Sequence, residues 1–218
     1  MRALVGGVDE AGRGCIVGPL VVAGVAAFPG SIKELREIGV RDSKKLSPKR
    51  REALYPEIRR ICSTVSSVHI APGEIDRVVR TGKKYRKLNY LEALYFAKVI
   101  DQLDATRVTV DASDTDPLRF RDNIRENMTA ASKVLAVHKA DRDFTVVAAA
   151  SVIAKVERDR AVNELKEAYG DFGSGYPSDP ATRVFFIEKM RKGEAAPDYT
   201  RKSWKTWRRF EQSILAPF

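Results

Sequence analysis

The chain has 218 residues, a length that fits one domain with an appended element, and 44% of them are hydrophobic, which excludes a disordered chain. Lysine and arginine number 39 against 29 aspartate and glutamate, a net charge of +10 that favours a polyanionic partner, nucleic acid or an acidic membrane surface. Two cysteines (Cys15, Cys62) and two histidines (His69, His138) exclude a disulfide framework and a structural zinc module, so carboxylates must supply most ligands of any catalytic metal.

Met1 to Val8 is short and apolar and runs into Asp9 and Glu10, which interrupt any signal-peptide layout. The longest apolar stretch, Cys15 to Phe28, covers 14 residues and contains Gly18, Pro19 and Gly24. A membrane span needs about 20, so the expectation is a buried strand over Leu20 to Phe28 in a soluble, cytoplasmic protein with no membrane partner. Met1–Val8 and Leu20–Phe28 suggest an antiparallel pair. Ser47-Pro48 opens a helix as N-cap and first helical residue, running through Arg60. Ile61 to Ile70 reads as a third strand, Pro72 to Val79 as a short helix. Leu88, Leu91, Leu94, Tyr95, Val99 and Leu103 mark an amphipathic helix. Arg107–Val110 and Lys133–Val137 are short strands. A long helix follows from about Val146 to Tyr169, its first turns rich in small side chains that permit close approach to a sheet. Strands followed by helices after an antiparallel start point to a mixed α/β sheet. After Gly170 the texture turns glycine-rich and then helical, which divides a core, 1–175, from a helical extension, 176–218.

Three strand candidates end in carboxylates: Val8-Asp9-Glu10, Val110-Asp111 and Val137 through Asp141. Carboxyl ends of strands are where open α/β sheets bind ligands. Each acid alone could merely cap a turn. Together they would repel one another, and Mg²⁺ or Mn²⁺ would resolve that conflict; beside a basic surface this points to phosphodiester cleavage. Asp143 rivals Asp141 on spacing alone. Gly12, Gly14 and Gly18 do not match a dinucleotide fingerprint. Paired glycines flanking Arg13 instead let backbone groups approach a sugar or phosphate.

Asp9-Glu10-Ala11-Gly12-Arg13-Gly14 with Gly18-Pro19-Leu20 resembles the signature of type 2 ribonuclease H, ribonuclease HII. The resemblance continues through Asp42-Ser43-Lys44-Lys45-Leu46, Val110-Asp111, Lys139-Ala140-Asp141, Ala148-Ala149-Ala150-Ser151 with Ala154-Lys155, Gly173-Ser174-Gly175-Tyr176-Pro177, and Ser203-Trp204-Lys205-Thr206. It implies a ribonuclease H-like fold, a five-stranded mixed sheet flanked by helices with a helical C-terminal extension. The implied activity is endonucleolytic, on RNA in RNA–DNA hybrids and at single ribonucleotides embedded in duplex DNA. Asp9, Glu10, Asp111 and Asp141 match the family's four metal-binding carboxylates; the alignment through Lys139-Ala140 favours Asp141 over Asp143. Gly12, Arg13 and Gly14 match the loop that reads the ribose 2′-hydroxyl, and Tyr176 the tyrosine that packs on the junction sugar. Implied chemistry is two-metal hydrolysis leaving a 3′-hydroxyl and a 5′-phosphate, in DNA replication or repair. Cys15 and Thr145 depart from the pattern where proline is frequent.

Basic clusters lie at Arg41–Arg60, Arg80–Lys87 and Arg191–Arg209, and such runs are often only solvated helix faces. The resemblance favours substrate contacts from Ser43, Lys44 and Lys45, from Lys202 and Lys205, and from Arg208 and Arg209. Trp204 and Trp207 would share a face if their segment is helical, with burial favoured over base stacking. His138 could shuttle a proton; His69 reads as structural, and both cysteines as small buried residues. A non-catalytic hybrid binder would not need all four acids, and a junction resolvase or transposase-type nuclease would lack the Gly-Arg-Gly loop and Tyr176. The terminus, Gln212 through Phe218, resembles the sliding-clamp (PCNA) interaction motif, with Gln212, Leu215 and Phe218 as anchors; the alternative is an apolar tail folded back on its own domain. A monomer is expected.

Overall fold

The computed structural model describes residues 3–40, 46–83 and 87–215. Its five strands are β1 (Val5–Ala11), β2 (Leu20–Ala27), β3 (Thr64–Ile70), β4 (Arg107–Asp111) and β5 (Lys133–Val137), in the sheet order β3-β2-β1-β4-β5. β1, β2 and β3 pair antiparallel, while β4 and β5 continue parallel to β1. The expected five-stranded mixed sheet is therefore present.

Helices cover both faces of the sheet. β2 shows why: all eight of its residues are buried. Val21, Ala23, Val25 and Ala27 pack with α1 (Ser31–Glu37), α2 (Pro48–Ile61) and the long α7 (Thr145–Tyr169). Leu20, Val22 and Ala26 face α3 (Pro72–Thr81), α4 (Leu88–Ile100) and α5 (Pro117–Asn127). Alternation at period two sends neighbouring side chains to opposite layers. The start of α7 lies directly on β1, because a Cβ on Gly7 would stand 2.3 Å from the Val146 carbonyl carbon. Ala148, Ala149, Ala150, Ser151 and Ala154 are all buried in this contact, as their small size suggested.

Ser47 caps α2 by accepting the Arg50 N–H at 3.2 Å, with Pro48 opening the helix. Four features differ from the sequence reading. α2 runs through Ile61, so β3 begins only at Thr64. β1 extends to Ala11 and carries Asp9 and Glu10 inside the strand, since its pairing with β2 continues through Ala11 and Val21. α1 and α5 were unanticipated; α5 is capped by Asp116, which accepts from the Leu118 and Arg119 N–H groups. Finally, α9 (Lys205–Leu215) starts after Trp204, so the two tryptophans do not share a helix face. Trp207 is buried; Trp204 is half-buried, with the Arg201 guanidinium 5.3 Å from its ring.

Beyond α7, α8 (Pro180–Arg191) and α9 form a third apolar cluster. Phe172, Phe186, Trp207 and Phe210 pack there against Ile16, Val17 and Val162. Backbone bonds tie this segment to the loop after β1: Ile16 donates to the Gly175 carbonyl, Gly18 to Tyr199, and Arg201 to Ile16. Among the described residues no helix is long and apolar enough to cross a membrane.

Candidate active site

β1, β4 and the β5–α6 connection converge at the carboxyl ends of the three parallel strands. Val8 packs toward α4 and Ala11 toward α7, so Asp9 points to the α7 side and Glu10 to the α4 side. On β4, Val110 belongs to the α4 layer and places Asp111 with Asp9. Asp141 lies on the short helix α6 (Ala140–Asp143), which Lys139 opens in the left-handed region at φ 59°. The Ala140 N–H donates to Asp111 Oδ1 at 3.2 Å and joins α6 to the end of β4. Carboxylate oxygens of Asp9, Asp111 and Asp141 all lie within 4.8 Å of one another. Asp143 is exposed and outside this group.

Burial, with the Asp111 charge, pushes Asp9 up to about 6, against the pull of Lys155 and a hydrogen bond from Ser151. Glu10 is raised well above the ordinary range by burial and by Asp9, Glu92 and Asp111, with Arg13 opposing. Its Oε2 is buried and accepts no hydrogen bond among the described residues. Hard oxygen donors, crowded and only partly neutralised, fit a divalent cation.

The same cleft, about 510 Å³, is lined by Gly12, Arg13, Gly14, Arg51, Lys155, Arg158, Asp159 and Tyr176 together with the four acids. Gly12 takes a φ of 89°, and a Cβ there would meet the Pro19 carbonyl oxygen at 2.8 Å. Arg13 donates from Nε to Glu92 at 2.8 Å and from Nη2 to Asn89 at 2.6 Å. Tyr176 stands beside Gly14 and over the Arg158 guanidinium, 4.9 Å from its ring centre. Burial and the neighbouring Cys15 push the tyrosine hydroxyl up to about 12. Arg158 itself donates to Cys15 Sγ at 2.9 Å and to the Ser174 carbonyl at 2.7 Å.

Among the remaining expected residues, Ser43, Lys44, Lys45 and Phe218 lie outside the described residues. Lys202 pairs with Asp198 at 2.9 Å, and Lys205 is exposed at the start of α9. Gln212 is exposed on α9, and Leu215 is that helix's last residue. His138 is exposed with Nδ1 3.2 Å from the Ala112 carbonyl; His69 sits 3.0 Å from Glu157. Sequence reasoning assigned no role to Lys155, Ser151, Glu92, Arg158 or Arg201. Glu92 had a readable signal, an acid inside the apolar run of α4.

The family model described as Ribonuclease HII matches residues 6–207. This chain belongs to the ribonuclease HII family. A ribonuclease HII of Pyrococcus furiosus is 43% identical over 214 residues, covering 97% of this chain and 93% of that protein. The crystal structure of the ribonuclease H2 from Pyrococcus horikoshii superposes with a TM-score of 0.88 at 39% identity, covering 98% of this chain and 100% of the other. The structure of the PCNA:RNase HII complex from Archaeoglobus fulgidus gives 0.85 at 42% identity, covering 95% and 97%. As a ribonuclease HII, the chain is a ribonuclease H-type endonuclease, a hydrolase of a divalent-metal-dependent family that acts on RNA–DNA hybrids.

Proposed function

We propose that this ribonuclease HII hydrolyses the RNA strand of hybrids and also cuts at single ribonucleotides embedded in duplex DNA, leaving 3′-hydroxyl and 5′-phosphate ends in DNA replication or repair. The observation that carries the reading is the close approach of Asp9, Asp111 and Asp141 in a cleft that also presents Gly12-Arg13-Gly14 and Tyr176. Asp9, Asp111 and Asp141, with Glu10 beside them, would hold Mg²⁺ or Mn²⁺. Two such ions, when bound, lower the pKa of an attacking water and stabilise the leaving 3′-oxygen.

The chain's own residues do the rest. Glycines on either side of Arg13 let the loop backbone approach the ribose, whose 2′-hydroxyl both donates and accepts hydrogen bonds. Tyr176 packs on the sugar at the RNA–DNA junction, held by Arg158 below its ring. Ser43, Lys44, Lys45, Lys202 and Lys205 contact the nucleic acid and supply sequence-independent affinity. The enzyme works as a cytoplasmic monomer in which a core, 1–175, and an extension from 176 each contribute to the cleft. Gln212, Leu215 and Phe218 dock on a sliding clamp, a reading supported by the PCNA complex of the Archaeoglobus relative.

The test is cleavage of a duplex with one embedded ribonucleotide, beside an all-DNA four-way junction, with Mg²⁺ or Mn²⁺ supplied in turn. Cutting of the first substrate alone is expected. Equal cutting of the junction would replace this reading with that of a resolvase.

A further inference from the structure

We infer that Glu92 is the positioning residue of the ribose-reading loop, setting the place of Arg13 relative to Asp111. The inference rests on the proposed role of the Arg13 loop. Glu92 lies on α4, behind β1, on the sheet face opposite Asp9. Its side chain is 0% exposed, whereas that of Arg13 is 40% exposed. One carboxylate oxygen accepts Arg13 Nε at 2.8 Å; the other accepts the Ser113 hydroxyl at 3.0 Å. Ser113 stands two residues beyond Asp111, so a single buried carboxylate links the loop after β1 to the loop after β4.

Asn89, one turn earlier on α4, accepts Arg13 Nη2 at 2.6 Å and fixes the plane of the guanidinium. From the other side the fully buried Arg201 donates to the Arg13 carbonyl at 2.9 Å and to the Gly18 carbonyl at 3.1 and 3.2 Å. Arg13 is thereby held by side chain and backbone at once. Its Nη1 makes no hydrogen bond among the described residues, and Arg13 is one of the residues that line the cleft. Burying a carboxylate is costly unless every oxygen is paired, and an apolar residue of the same volume would often serve stability equally well. Here both oxygens are used: one holds Arg13, which lines the cleft, and the other holds Ser113, two residues beyond the cleft-lining Asp111. Small errors in such a loop are expensive, because a displacement of about 1 Å from productive geometry costs up to 10²-fold in rate.

The experiment is a double-mutant cycle on the full chain with Mg²⁺, cleaving a duplex that carries one ribonucleotide. Glu92→Met keeps the volume and removes both acceptors, while Glu92→Gln keeps an oxygen for Arg13 and serves as the conservative rescue. We expect Glu92→Met to lower kcat/KM about 30-fold and Glu92→Gln about threefold, with affinity for an all-DNA duplex changed less than about twofold. Arg13→Ala combined with Glu92→Met should be no worse than Arg13→Ala alone. Losses that multiply in the double variant overturn the inference, since Glu92 would then act independently of Arg13. A Glu92→Met enzyme with full kcat/KM, beside an impaired Arg13→Ala enzyme, overturns it while sparing the role of the loop. An Arg13→Ala enzyme with full activity overturns both.

Discussion

Asp111 shares one face with Asp9 and Asp141, and its backbone neighbourhood is fixed by the Ala140 N–H. Asp111→Asn keeps the shape and removes a charge that a hard cation needs. Hydrolysis with Mg²⁺ should fall by at least about 10²-fold, read as kcat on an embedded-ribonucleotide duplex. Retained activity would remove Asp111 from the metal site. The raised carboxylates also make stability depend on pH. Asp9 ionises near 6 in the fold against an ordinary 3.8, so it favours the fold below its unfolded value and loses that contribution as pH rises through about 6. The metal-free protein should therefore be less stable at about pH 8 than at about pH 5, with Asp9 contributing on the order of 1 kcal/mol to the difference, read as a lower Tm at the higher pH. Added Mg²⁺ or Mn²⁺ should raise Tm more at the higher pH; equal gains at both would mean that the acids do not share a cation. Asp9, Asp111 and Asp141 were legible because each follows an apolar strand. That Glu10 projects to the other face became visible only once the register of β1 was known.

Element contacts decide how closely those residues can meet. β1 carries Gly7 beneath the first turn of α7, and a methyl there would stand 2.3 Å from backbone. Gly7→Ala must push α7 outward, moving Ser151 and Lys155 away from Asp9. A loss on the order of 3 kcal/mol is expected, lowering Tm by roughly 6–12 °C in a domain of this size. A Tm unchanged by the substitution would show that α7 is free to shift. Local signals explain which elements were readable. Ser47-Pro48 announced α2, and the helical spacing of Leu88, Leu91 and Val99 announced α4. Asp116-Pro117 carries the same kind of signal for α5, set in a stretch dense with acids. α1 has seven residues and no side-chain cap, so little in its sequence distinguishes it from a loop. The pairing of Glu92, unlike its place in the apolar run of α4, was hidden for another reason: its partners, Arg13 and Ser113, are 79 and 21 residues away in sequence.

The whole molecule is basic, and affinity for nucleic acid should follow that charge. Reversing Lys202 and Lys205 to glutamate should weaken duplex binding and reduce the slope of log affinity against log salt by about 2. An unchanged slope would turn these side chains away from the substrate. The C-terminal segment contributes buried Trp207 and Phe210 to the fold before its last turn. Removing Gln212 to Phe218 should therefore abolish clamp binding and leave cleavage of a short duplex within about twofold, because the apolar anchors remain. A truncated protein that unfolds, or that still binds the clamp, would make the tail part of the domain.

In the proposed function one cleft of the molecule combines metal-dependent hydrolysis with recognition of ribose. End-group analysis of a duplex with a single embedded ribonucleotide tests it most directly, with Mg²⁺ or Mn²⁺ and with chelator in parallel. One cut at the ribonucleotide is expected, with a 3′-hydroxyl and a 5′-phosphate, and no product in chelator. Cutting without metal, other end groups, or equal cutting of the all-DNA duplex would contradict it.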